Sequence, residues 1–147
     1  MADEGRLERA ADELEIRNVL ARLAQLADDG DLDEYLLLFT DDARWDAGAA
    51  FGIRVGHDEI REGAVERRAS GTAGPGSHSR HVITTSAISV EGDHATGRSV
   101  FHFYVKTDET PQLAILGVYE DEFARTERGW CLAHRKIVGA KQPPAQR

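Results

Sequence analysis

From His81 to Gly139 the chain is four long runs rich in β-branched and aromatic residues, and the connections between them are too short for anything but hairpins. The runs are His81 to Val90, Ala95 to Lys106, Gln112 to Arg125 and Trp130 to Gly139. Their separators, Glu91-Gly-Asp93, Thr107 to Pro111 and Thr126 to Gly129, have turn chemistry. Parallel neighbours need a crossover of about a dozen residues or more, so consecutive runs here must pair as an antiparallel meander. Alternation then assigns faces. In the second run Phe101, Phe103 and Val105 share one side, and Arg98, His102 and Tyr104 the other. The aromatic side is expected to cover helices, leaving the other for association between subunits. In the third run Tyr119 shares parity with Leu113, Ile115 and Phe123, which points it inward.

The first half of the chain has helical periodicity. Leu7, Ala11 and Leu14, then Ile16, Val19, Leu20, Leu23 and Ala27, recur at three-and-four spacing and predict a helix over 6–28, with Gly30 as its stop. Asp31 with Glu34 resembles a capping box opening a short second helix through Tyr35, Leu36 and Phe39. The segment from Phe51 to Val55 alternates like a strand, and a third helix is expected from about Asp58 to Ala69. Ser70 to Gly76 is a loop on composition, placed where it could act as a lid. Helices first and strands later is the α+β pattern, and 147 residues suit one domain. That domain is expected over 1–140. The tail 141–147, with two prolines and little to bury, is expected to fray.

A net charge of −8 argues against a nucleic-acid or anionic-membrane surface, which needs basic patches. Arg61, Arg67 and Arg68 form the one close basic cluster, but they alternate with Glu59, Glu62 and Glu66 and read as a solvated helix face. The single cysteine, Cys131, allows no disulfide and reads as a small buried hydrophobe. There is no apolar run of membrane-spanning length, about 18 residues. The start of the chain, Met1 to Glu15, is too charged for a secretory signal, so a cytoplasmic location is expected. Glycine-rich nucleotide loops and a Gly-x-Ser-x-Gly elbow are absent from the sequence. His78 and His81 would face opposite sides of a strand, so neither a metal nor a cofactor is expected. His134, beside Lys136, reads as exposed or interfacial, and His57 with Asp58 as the start of the third helix.

Several phrases together resemble the SnoaL-like branch of the nuclear transport factor 2-like superfamily. They are Leu-Ala-Asp-Asp-Gly-Asp-Leu-Asp-Glu-Tyr (26–35), Leu-Phe-Thr-Asp-Asp-Ala-Arg-Trp (38–45), Val-Gly-His-Asp-Glu-Ile (55–60), Ser-Arg-His-Val-Ile (79–83), Gly-Val-Tyr-Glu-Asp-Glu-Phe (117–123) and Gly-Trp-Cys-Leu-Ala-His-Arg-Lys-Ile-Val (129–138). The resemblance implies a cone: N-terminal helices packed in a curved antiparallel sheet, with an apolar pocket inside. It also implies an Asp–His pair, which falls here on Asp28 and His81, as in scytalone dehydratase and hexachlorocyclohexane dehydrochlorinase. The tyrosine or lysine that such relatives carry on the first helix is replaced by Ala27 and Leu23. Tyr35 or Tyr119 would have to serve instead.

Under that resemblance Asp28 orients His81, which moves a proton in a cofactor-independent elimination or isomerisation. Tyr35, Trp45, Phe101, Phe103 and Tyr119 would line a site for a small apolar, aromatic or polycyclic molecule, in a homodimer or homotrimer. Read from the residues alone, Asp28 is also a polar residue at a helix end and His81 an ordinary strand histidine. The alternative function is a non-catalytic ligand-binding or scaffold domain, like the small subunits of aromatic-ring dioxygenases.

Overall fold

The computed structural model describes residues 2–141, and apart from Lys141 the tail at 141–147 lies outside the described residues. The elements run α1 (Ala2–Asp29), α2 (Leu32–Leu37), β1 (Phe39–Asp46), α3 (Gly48–Phe51), β2 (Ile53–Val55), α4 (Gly56–Ala69), β3 (Arg80–Glu91), β4 (His94–Val105), β5 (Gln112–Thr126) and β6 (Gly129–Lys141). The six strands form one curved sheet in the order β2-β1-β6-β5-β4-β3. Strands β3 to β6 pair as the expected antiparallel meander, and β1 joins β6 in parallel. Among the described residues no helix is long and apolar enough to cross a membrane.

The strand β1 is a difference from the sequence reading. The second helix stops at Leu37, and Phe39, expected within it, begins a strand instead. The cause is tertiary. Phe39 lies opposite Leu132 of β6, and the Leu132 amide donates to the Leu38 carbonyl at 2.8 Å. Most of the chain separates β1 from β6, so the length needed for a parallel pair is supplied. Asp31 caps α2 as its spacing suggested, accepting from the amides of Asp33 and Glu34 at 2.8 and 3.0 Å. Phe51, assigned by alternation to a strand, lies in α3, and β2 begins at Ile53.

Ile16, Val19, Leu20 and Leu23 bury the inner face of α1 against Phe39, Phe123, Trp130 and Leu132. Leu7 and Leu14 continue the apolar spacing but are 69% and 65% exposed. Asp12 and Glu15 already meet the β5–β6 end, so the first turns of α1 have no sheet to cover. Asp12 accepts from the Trp130 indole N–H at 2.9 Å and takes both terminal nitrogens of Arg125. Those bonds, first from Arg125 and then from Trp130, hold its carboxyl below the usual range. A lowered folded value means that this stabilisation is complete above about pH 4. It is lost as pH falls through the folded value. Asp12→Ala strands a buried indole N–H, a loss of about 1–3 kcal/mol. At about 2–4 °C per kcal/mol, thermal melting followed by circular dichroism should show a Tm lower by several degrees.

One-residue bulges interrupt the ladders and bend the sheet around the helices. They also move side chains between faces. A shift beside Phe103 and Tyr104 puts Ile115 opposite Phe103 but Leu113 opposite Tyr104. Leu113, expected inside, is therefore 43% exposed.

Candidate functional site

Two apolar clusters flank a cavity of about 270 Å³ inside the curve of the sheet. One wall comes from the α1 side, with Leu23 and Tyr35, and the other from Phe101, Phe103 and Tyr119. Tyr35, Trp45, Phe101, Phe103 and Tyr119, the residues expected to line a pocket, all border it, and so does His81. From the Ser70–Gly76 loop, Thr72 and Ala73 complete part of the wall.

Asp28 and His81 meet. The Asp28 side chain is 2% exposed, and its Oδ1 lies 2.6 Å from His81 Nδ1. Its Oδ2 accepts the backbone N–H of His81 at 2.9 Å. A carboxylate can only accept, so Nδ1 carries the hydrogen, and in the neutral ring Nε2 keeps the lone pair. Nε2 has no hydrogen-bond partner among the described residues, and the His81 ring packs against Phe103 with centroids 4.6 Å apart. The ring is thus held in one tautomer and one orientation, with its free nitrogen on the side away from Asp28.

The last turn of α1 is an unfavourable place for an anion, because the helix dipole is negative there. Arg68 offsets this. Its Nη2 donates to the carbonyls of Leu26 and Gly30, at 3.0 and 2.8 Å, satisfying two acceptors the helix end would leave bare. Gly30 is required at this stop, since a Cβ would lie 2.8 Å from the Leu26 Cα. The neighbouring acid, Asp29, pairs with Arg80 at 3.1 Å, so a second bond fastens α1 to β3 beside the Asp28–His81 contact.

Arginines are what the sequence reading missed. Arg67 and Arg68, read as part of a solvated face, are half-buried and border the cavity; Arg61 does not border it and pairs with Asp33. Arg67 sits 4.8 Å from the Trp45 ring centroid. Long stems that cross apolar surface before presenting the charge explain the difference. Arg135 is fully internal and bonds Asp121 through Nε and Nη2, at 2.9 and 2.8 Å. Its guanidinium lies 3.7 Å from the Tyr119 ring centroid, and Tyr119 stacks on Phe101 at 4.0 Å. A shift in the β5–β6 ladder, where Leu132 pairs with Phe123 but His134 with Glu122, turns Arg135 inward. The sequence reading gave Arg135 no direction, because the ladder shift that turns it inward leaves no mark among its neighbours His134 and Lys136.

Other candidates lie elsewhere. His78 is exposed beside Asp108, and His102 lies next to Tyr104 on the other face of β4 from Phe101 and Phe103. His134 pairs with Glu122 at 3.4 Å. His57 occupies the first turn of α4, its Nε2 3.1 Å from the Phe39 carbonyl. Cys131 is buried and uncrosslinked.

Comparison with known proteins adds a family. The SnoaL-like domain matches residues 8–136. An uncharacterized protein of Mycobacterium tuberculosis is 28% identical over 127 residues, covering 85% of this chain and 83% of that protein. A nuclear transport factor 2-like protein with a cystatin-like fold from Novosphingobium aromaticivorans superposes with a TM-score of 0.79 at 25% identity, over 91% of this chain and 85% of that one. A protein provisionally named an aromatic ring hydroxylase, from the same organism, gives a TM-score of 0.75 at 27% identity, over 91% and 94%.

Proposed function

The chain belongs to the SnoaL-like domain family, and we propose that it is a cofactor-independent lyase or isomerase working by proton transfer on a small, largely apolar, aromatic or polycyclic molecule. The observation that carries the reading is the doubly anchored contact between Asp28 and His81 at the edge of the cavity. Asp28 fixes the imidazole, and Nε2 takes a proton from a substrate carbon, then returns it to the leaving group or to another carbon. Such assistance is worth about 10²- to 10⁴-fold. Trp45, Phe101 and Phe103 supply apolar walls that exclude water, and Tyr35 and Tyr119 offer hydroxyl donors to an oxygen of the substrate.

Of the alternatives, a non-catalytic ligand-binding domain would use the same hollow and a scaffold like a dioxygenase small subunit needs none, but neither requires a fixed imidazole with a free nitrogen. That feature favours the catalytic reading. The site would work in the cytoplasm, in a homodimer or homotrimer packed through the outer sheet face around Val100 and Tyr104.

Deuterium exchange tests the chemistry before a product is known. Incubated in D₂O with a panel of aromatic and bicyclic carbonyl compounds, the protein should wash deuterium into one acidic C–H position of its substrate, read by mass spectrometry. An absence of exchange or elimination across the panel, with ligands demonstrably bound, would favour the non-catalytic alternative.

A further inference from the structure

The charged side chains that border the cavity are Arg67, Arg68 and Arg135, and among the described residues no aspartate or glutamate borders it. The two buried carboxylates nearby are already engaged, Asp28 by His81 and Asp121 by Arg135. Arg67 and Arg68 have no carboxylate within ion-pair distance among the described residues. An apolar hollow with this wall carries a positive potential that its own residues leave unneutralised.

Hydrogen-bond donors point the same way. Tyr35 and Tyr119 are 5% and 4% exposed, yet neither hydroxyl has a partner among the described residues, and both side chains border the cavity. Neither is among the fully enclosed unpartnered side-chain atoms of the described residues, so both hydroxyls open onto the hollow. Burial pushes both phenols up, while Arg67, Arg135 and Arg68 pull Tyr35 partway back, so both remain protonated donors. Arg135 spends Nε and Nη2 on Asp121, and Nη1 is left without a partner among the described residues. The stack of Arg135, Tyr119 and Phe101 holds these donors in place.

We propose that the cavity selects a substrate bearing a carboxylate, which docks on Arg135 with the Tyr35 and Tyr119 hydroxyls while Arg67 adds to the field. This rests on the cavity being the substrate site. The sheet also separates anchor from reaction. His81 lies on β3 and Arg135 on β6, with β4 and β5 between them. Three strand spacings make about 14 Å along the arc of the sheet, and less across the hollow. The carboxylate is therefore remote from the carbon that His81 deprotonates, and the substrate is an elongated apolar acid of about two rings.

Calorimetry with 2-naphthoate and its neutral isostere 2-naphthamide tests the anchor directly. The acid should bind at least about tenfold tighter than the amide, the range of a charge-assisted hydrogen bond. Arg135→Gln should abolish the preference. Because that change also leaves Asp121 buried and unpaired, Arg67→Gln and Tyr119→Phe, which keep the Arg135–Asp121 pair, serve as second variants, and each should cut the preference several-fold. His81→Asn should leave it intact. Equal binding of acid and amide, or a preference untouched by Arg67→Gln and Tyr119→Phe, overturns the carboxylate site and leaves the proton-transfer reading standing. Failure of both compounds to bind overturns both.

Discussion

His81→Asn is expected to lower turnover by about 10²- to 10⁴-fold while Tm stays close to that of the parent. Asparagine places an amide N–H where Nδ1–H stands, so it can still donate to Asp28 Oδ1, and the backbone N–H of residue 81 still donates to Oδ2. What disappears is Nε2. Alanine is a poorer probe, because it leaves the buried carboxylate short of a donor. Asp28→Asn should lose about as much activity. Its amide must present an N–H2 either to the ring nitrogen, imposing the wrong tautomer, or to the backbone N–H, where two donors collide. Since the two residues act as a unit, the double variant should be no worse than the poorer single one. Steady-state rates for the four proteins decide this, and losses that multiply would mean the residues act separately.

Breaking the Arg135–Asp121 pair should produce the largest loss of stability. Their side chains are 8% and 1% exposed, and the geometry is bidentate. Removing one partner of such a pair strands the other charge, which costs about 3–5 kcal/mol. Against a total stability of about 5–15 kcal/mol that is a large share. Urea denaturation should therefore show Arg135→Met and Asp121→Leu each far less stable than the parent. The double variant should recover most of the difference, because an apolar pair of similar volume does without the desolvation. A double variant as unstable as the sum of the two would mean that packing around the guanidinium, not the charges, is responsible.

The meander was legible because three hairpin connections leave strands no other way to pair, and α1 because its apolar spacing ends at a glycine with no room for a side chain. The residues proposed as the dyad could be named in sequence only through the family phrases around Asp28 and His81, since nothing local relates positions so far apart. Strand β1 escaped notice because Thr40, Asp41 and Asp42 make it look like a turn, and only its pairing with β6 supplies the reason to extend. Leu113 was assigned to the wrong face, and Arg135 was given none, for one shared reason. Counting by twos is valid until a ladder gains a residue, and the positions of those insertions depend on partners several strands away. Leu7 and Leu14 show the converse, a periodicity that continues after its partner surface has ended.

The bonds between α1 and β3 bear on how copies of this chain can meet. Strand β3 is the last in the sheet, and a terminal strand offers bare amides and carbonyls on which another chain can template itself. Here Asp28 occupies the amide of His81 and Arg17 the carbonyl of Ser86, both reaching over from the helix. The same carboxylate that steadies the imidazole thus helps seal that border against strand addition, and runaway stacking of subunits is denied a starting point there.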